Sequence, residues 1–258
     1  MMKENTNNTK RLYQEVGIQL INQIASSVYK IGDRLPPERE IAERMEVSRS
    51  VIREALIMLE LKGLVEVRKG SGVYVIDVPS DDIENSTNQS DSEESNDDVG
   101  PFEMLQARQL LESHVAEFAA TQVTKNDIHK LRAALEVERE HLEGNETDYD
   151  GDEMFHLAIA EATQNSVLTD MVKDMWVRRE SSSMWRQLHE RISNQDYRKR
   201  WLNDHEKILQ ALIRKDPVAA REAMWQHLEN VKQTLFELSD VDDPKFDGFL
   251  FSSYSVAS

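Results

Sequence analysis

Residues 77–100, DVPSDDIENSTNQSDSEESNDDVG, hold nine acidic side chains, no basic one and almost no large apolar group. Such a stretch cannot bury enough surface to offset the entropy of ordering it, and its like charges repel one another. It therefore predicts a flexible linker and forbids one continuous core across the 258 residues. The expected organisation is residues 1–76 as one domain, 77–100 as linker, 101–240 as a second domain and 241–258 as a C-terminal tail.

Charge is divided in the same way. The net charge is −17, yet residues 1–76 carry 12 Lys and Arg against 10 Asp and Glu, and the remainder carries 19 against 38. A near-neutral domain can still present a basic face to a polyanion where its arginines cluster. The absence of cysteine excludes a disulfide framework and any thiolate-ligated metal. No apolar run approaches the roughly 20 residues that span a bilayer, and MMKENTNNTK lacks the apolar core of a signal peptide. A soluble, cytoplasmic protein without a membrane partner is expected.

In the first domain, Val16, Leu20, Ile21, Ile24 and Val28 form a helical stripe over Tyr13–Val28. A turn-rich connection, Ile31–Pro37, leads into a short helix, Glu38–Met45. Ser48 is a suitable N-cap for a further helix running to about Lys62, and Gly63 ends it. The alternating segments Leu64–Arg68 and Gly72–Ile76, around Lys69-Gly70-Ser71, predict a β-hairpin. Three helices and a hairpin make a winged helix-turn-helix. Ser48, Arg49, Ser50 and Arg53 then lie at the start of the recognition helix, with Arg39 on the preceding one and Lys69 and Gly70 at the wing tip. Guanidinium groups suit guanine edges and phosphate, and hydroxyls suit phosphate. Taken singly, each arginine reads more readily as a solvated charge or a partner of Glu38, Glu43 or Glu54; clustered in this frame, they read as a DNA-contacting set.

After the linker the pattern is helical throughout, so the fold class is mainly α. Thr124 and Asp216-Pro217 mark two helix starts; a helix opening at Pro101 and containing Leu105 to Phe118, one including Phe155, Ile159 and Ala162, and others near 166–179, 184–191 and 197–215 are expected. Asp152 and His156, four apart, share one helix face, and His205 and His227 lie on two later helices. Three imidazoles and a carboxylate suit zinc, nickel or manganese, with room for water or an anion. Seven histidines are present, so spacing alone does not select this set. An Asp/His pair at this spacing also reads as an ordinary surface hydrogen bond. Trp176, Arg178, Arg179, Trp185 and Trp225 are pocket candidates, but aromatics at helical spacing are more often core.

Leu35-Pro-Pro-Glu-Arg-Glu40, Val47-Ser-Arg-Ser-Val-Ile-Arg-Glu-Ala-Leu56, Leu59-Glu60 and Gly63-Leu-Val65 resemble the GntR family of bacterial regulators. The resemblance implies that Arg39, Arg49 and Arg53 are the main DNA-contacting arginines, supported by Ser48 and Ser50, with Lys69 and Gly70 in the wing. It also implies a homodimer on a palindromic operator. Arg108-x-x-x-Glu112, Asp152-Glu-Met-Phe-His156, Asn165-Ser166, Asp204-His205 and His227-Leu228 resemble the ligand-binding (FCD) domain of the FadR subgroup. That likeness implies an antiparallel all-α bundle in which Asp152, His156, His205 and His227 hold a divalent metal, zinc first and nickel or manganese as alternatives. Arg108 would take the carboxylate of an organic acid, and Asn165 would add a polar contact or cap a helix. Runs such as Ala116-Glu-Phe-Ala-Ala120 and Ala223-Met-Trp-Gln-His227 are further similar to hexuronate-pathway repressors of enteric bacteria, and the tail Phe246–Phe251 favours the glucuronate/fructuronate type. A sugar-acid inducer is thereby implied. Three alternatives stay open: a sensor of the metal itself, a structural metal with the effector elsewhere, and a helical metalloenzyme. The last lacks a partnered general base of the HExxH kind.

Overall fold

A computed structural model describes residues 11–68, 70–79, 98–144, 150–190 and 196–239. They form two compact units, one running to Gly100 and the other beginning at Pro101. Most of the expected linker, the tail from residue 240 and Lys69 lie outside the described residues.

The first unit contains α1 (Leu12–Ala25), α2 (Glu38–Met45), α3 (Arg49–Leu61), β1 (Val65–Arg68) and β2 (Gly72–Val75). α1 stops three residues short of the expected Val28. Ser26 Oγ donates back to Asn22 O at 2.8 Å, Ser27 turns left-handed at φ 60°, and Val28 is exposed. At the start of α3, Ser48 caps as expected, its side chain accepting from Val51 N. The strands pair antiparallel with Val65 opposite Val75 and Arg68 opposite Gly72. Gly70, at φ 68°, makes the turn with a backbone that costs other residues roughly 1 kcal/mol or more. The supposed turn-rich connection also extends the sheet: Leu35 N donates to Val73 O at 2.8 Å and Val75 N to Asp33 O at 3.0 Å. Leu20, Ile24, Leu35, Ile41, Ile52, Leu56, Leu59 and Val73 form the core. Burying each such side chain stabilises the unit by about 1.5–3 kcal/mol.

The described ends of the expected linker, residues 77–79 and 98–100, belong to this unit. Tyr13 Oη donates to Asp98 O at 2.7 Å. Val99 is buried, and Gly100 passes so close to Glu54 that a Cβ would lie 2.4 Å from its carboxylate.

The second unit is all-helical: α4 (Pro101–Gln122), α5 (Lys125–Glu143), α6 (Asp150–Ala162), α7 (Ser166–Ser181), α8 (Ser183–Glu190), α9 (Asp196–Ile213) and α10 (Pro217–Leu238). Thr124 and Asp127 cap α5 reciprocally. Asp216 caps α10 with proline at its first turn. α4 packs on α10 and α6, α5 on α6 and α9, and α9 on α10. Gly151 permits the α5–α6 approach, because a Cβ there would lie 2.5 Å from the backbone nitrogen of Glu138. That contact sets the depth at which Asp152, the next residue, enters the bundle.

Candidate DNA-contacting face and metal centre

α3 presents the expected polar start. Ser48 Oγ and Ser50 Oγ lie 2.8 Å apart. Arg39 is 80% exposed, with Nε 3.0 Å from Glu43 Oε1. Arg49 is 38% exposed, with Nη2 3.8 Å from Glu38 Oε2. Arg53 is placed otherwise than expected for a DNA contact. Its side chain is 0% exposed, and Nε donates to Glu38 Oε1 at 2.9 Å and Oε2 at 3.1 Å. Nη2 also donates to Glu38. Four residues on from Arg49, Arg53 lies where α3 meets α2, so its charge ties the two helices together instead of facing solvent. Gly70 is exposed at the hairpin turn.

In the second unit, the side chains of Asp152, His156, His205 and His227 converge from α6, α9 and α10. One ligating atom from each lies within 4.8 Å of the other three. His205 Nε2 is 3.1 Å from His227 Nε2, and Asp152 Oδ1 is 3.4 Å from His156 Nε2 and 3.5 Å from His205 Nε2. Donors around a zinc ion at about 2.0–2.1 Å sit roughly 3.3 Å apart at tetrahedral angles, so these edges fit. His156, His205 and His227 are buried and Asp152 nearly so.

Two carboxylates that sequence reasoning did not select complete the arrangement. Glu112 on α4 accepts from His156 Nδ1, and Glu138 on α5 accepts from His205 Nδ1 at 2.8 Å. Each bond uses Nδ1 and leaves Nε2 facing inward, as metal-ligating histidines require. Among the described residues, His156 Nε2 is buried without a hydrogen-bond partner. The donor set, its orientation and this bare nitrogen together fit a divalent cation.

Electrostatics reinforce the fit. Burial alone would raise Glu112, but Arg108 and His156 hold it down at about 2. Burial likewise opposes the ionised Asp152, yet His156 beside it, then His205 and Arg179, hold it well below the usual carboxylate range. For His156, burial favours the neutral ring, and the Glu112 charge with the Asp152 carboxylate nearby raises its pKa nonetheless. Burial first, then His205 and His156, drive His227 well down, leaving it neutral. Ionised carboxylates thus face the clustered imidazoles, a setting compatible with a bound cation.

Arg108 borders this cluster. Its Nε donates to Glu112 Oε1 at 2.6 Å, linking it through that carboxylate to His156. Its guanidinium stacks 4.3 Å from the Trp176 ring centroid, while Nη2 is buried without an acceptor among the described residues. Arg179 stacks on Trp176 at 4.6 Å and Trp185 at 4.8 Å. Asn165, by contrast, caps α7, its side-chain oxygen accepting from Val167 N at 3.1 Å and Leu168 N at 3.3 Å.

Residues 12–75 match the model of the bacterial regulatory proteins, gntR family, and residues 103–230 match the FCD domain. The chain is 55% identical over 252 residues to the Uxu operon transcriptional regulator of Escherichia coli (strain K12), covering 96% of this chain and 95% of that protein. It is 52% identical over 258 residues to the Uxu operon regulator of Haemophilus influenzae, covering 99% and 94%. The Exu regulon transcriptional regulator of Escherichia coli (strain K12) is 48% identical over 253 residues, covering 96% and 93%.

Proposed function

The chain belongs to the gntR family of bacterial regulatory proteins and carries an FCD domain, and from that premise we propose a repressor of hexuronate-utilisation genes, released from its operator by a sugar acid. It is a transcriptional regulator and not an enzyme, as are the relatives of Uxu and Exu name. A homodimer binds a palindromic operator in the cytoplasm; among the described residues, no helix is long and apolar enough to cross a membrane. Arg39 and Arg49 reach the DNA, with Ser48, Ser50, Gly70 and Lys69 as further contacts. Arg53 holds α3 in place.

The observation that carries the effector reading is the buried Asp152, His156, His205 and His227 set with Arg108 beside it. A divalent metal there, zinc before nickel or manganese, would act as a Lewis acid toward a ligand oxygen. Arg108 offers Nη2 to the inducer carboxylate while Glu112 keeps the guanidinium oriented. Fructuronate or glucuronate supplies such a carboxylate. The inducer lowers operator affinity only by its preference for the non-binding arrangement of the dimer.

The test is operator binding by fluorescence anisotropy, at fixed salt and with zinc present, during titration of fructuronate, glucuronate and galacturonate. Release by one of them, lost in Arg108→Ala with operator affinity retained, is expected. Release by zinc alone would replace this reading with a metal sensor, and no response to any of the acids would end it.

A further inference from the structure

We propose that Trp176 reads the inducer: its indole N–H donates to a hydroxyl or carbonyl oxygen of the sugar acid whose carboxylate Arg108 holds. The inference rests on the sugar-acid reading above and concerns a residue whose helical spacing looks like ordinary core.

The Trp176 side chain is 0% exposed, and packing explains that. Packing does not explain its nitrogen. Among the described residues Nε1 is buried with no hydrogen-bond partner, and so is Nη2 of Arg108, whose guanidinium lies on the Trp176 ring at 4.3 Å. Buried N–H groups without acceptors are rare in folded proteins and unfavourable where they occur. Here two of them belong to a stacked pair, and the same ring lies 5.5 Å from the ring of His156. Trp201 Nε1 also lacks an acceptor, so a missing partner alone carries nothing. Its coincidence with the arginine and the metal-ligating histidine does.

The surroundings hold the indole in one orientation. Arg108 and Arg179 both stack on it, and Arg179 is backed in turn by Trp185. A ring fixed in this way loses little freedom when it forms a hydrogen bond, which is the condition for a selective contact. The class of ligand follows from the donors. Arg108 calls for a carboxylate, and an indole N–H can only donate; with the carboxylate taken up by Arg108, the indole is left for another acceptor oxygen of the same molecule. A polyhydroxy acid has one; a simple carboxylic acid does not. Sites built to pair with a substrate oxygen discriminate strongly against analogues lacking it.

The experiment uses the full-length, zinc-loaded protein. Calorimetric titrations with glucuronate, fructuronate and acetate compare the wild type with Trp176→Phe and, as control, Trp225→Phe at a 42% exposed position. Phenylalanine keeps a ring face for the guanidinium groups and removes the N–H. The expected result is about tenfold weaker sugar-acid binding in Trp176→Phe, with acetate binding and zinc affinity unchanged. The control should match the wild type. Equal weakening for acetate and the sugar acids would overturn the proposal in favour of a packing role. Unchanged sugar-acid binding would also overturn it while sparing the sugar-acid reading. A wild type that binds neither sugar acid would remove both.

A second measurement needs no variant at position 176. With ¹⁵N-labelled tryptophan, the four indole N–H signals are assigned by substituting the other three residues. Saturating sugar acid should move the Trp176 signal in the direction of a stronger hydrogen bond. A stationary signal in the bound protein would refute the proposal.

Discussion

Each unit of this protein buries an arginine against a glutamate, and the two pairs are finished differently. In the N-terminal unit Arg53 is fully buried and engages both oxygens of Glu38 across α2 and α3. In the C-terminal unit Arg108 gives Nε to Glu112 and stacks on Trp176, but Nη2 has no acceptor. Glu112 in turn is shared with His156. One guanidinium is used to hold two helices together; the other has a donor left over beside a metal-ready cluster. Residue type and burial are the same in both, so function is read from which hydrogen-bonding capacity the fold leaves unused.

Breaking the closed pair should have the largest effect. Glu38→Ala leaves the Arg53 charge buried without its carboxylate and should cost about 3–5 kcal/mol by chemical denaturation. Operator binding should be lost with it, while zinc binding by the other unit stays intact. Preservation of operator affinity would show that Arg53 can turn outward, and the contrast between the pairs would fail.

The open pair can be tested through its support. Gly151→Ala forces a Cβ against the Glu138 backbone, which no side-chain rotation relieves, and should destabilise the C-terminal unit by about 1–3 kcal/mol. Zinc affinity should fall with it, because Asp152 follows directly and Glu138 orients His205. An unaltered zinc titration would show that α6 can retreat without disturbing the ligands. Glu112→Gln keeps the volume but removes the charge shared by Arg108 and His156. Loss of such an orienting carboxylate typically weakens metal binding about 10- to 100-fold, here read by competition with a chelating dye. An unchanged zinc affinity would reduce the Arg108–Glu112–His156 chain to packing.

The smallest effect on stability belongs to the exposed face. Arg39→Ala, at a solvated i, i+4 pair, should change stability by less than about 0.5 kcal/mol. If Arg39 meets phosphate, the slope of log operator affinity against log salt should shrink by about 1, for strong and weak operators alike. An unchanged slope would leave Arg49 as the exposed arginine of this face that still needs a test.

Much of this was legible along the chain because it is local. The Ser48, Thr124 and Asp216 caps, the α2 boundaries and the hairpin follow from residues within a few positions of one another. Asp152 and His156 share a face for the same reason. Local reasoning failed where a partner lies far away. Glu112 meets His156 across 44 residues and Glu138 meets His205 across 67. Glu138 stands in VEREHLE, which reads as a solvated charged run. The Arg108-x-x-x-Glu112 spacing was a usable signal for one of these carboxylates; nothing comparable marked the other.

Sequence by itself determined the two-part organisation, the order of helices and strands, and a short roster of metal-capable and DNA-capable side chains. Those follow from periodicity, capping and charge density, which act over a turn or two of chain. Only the tertiary structure decided that Arg53 is spent and Arg108 is not, that Glu112 and Glu138 orient two histidines, and that Trp176 sits among guanidinium groups with its N–H unpaired. Those outcomes depend on which polar atoms are removed from water together. Burial is a property of packed helices, and the helix that a side chain meets is set by long-range contacts.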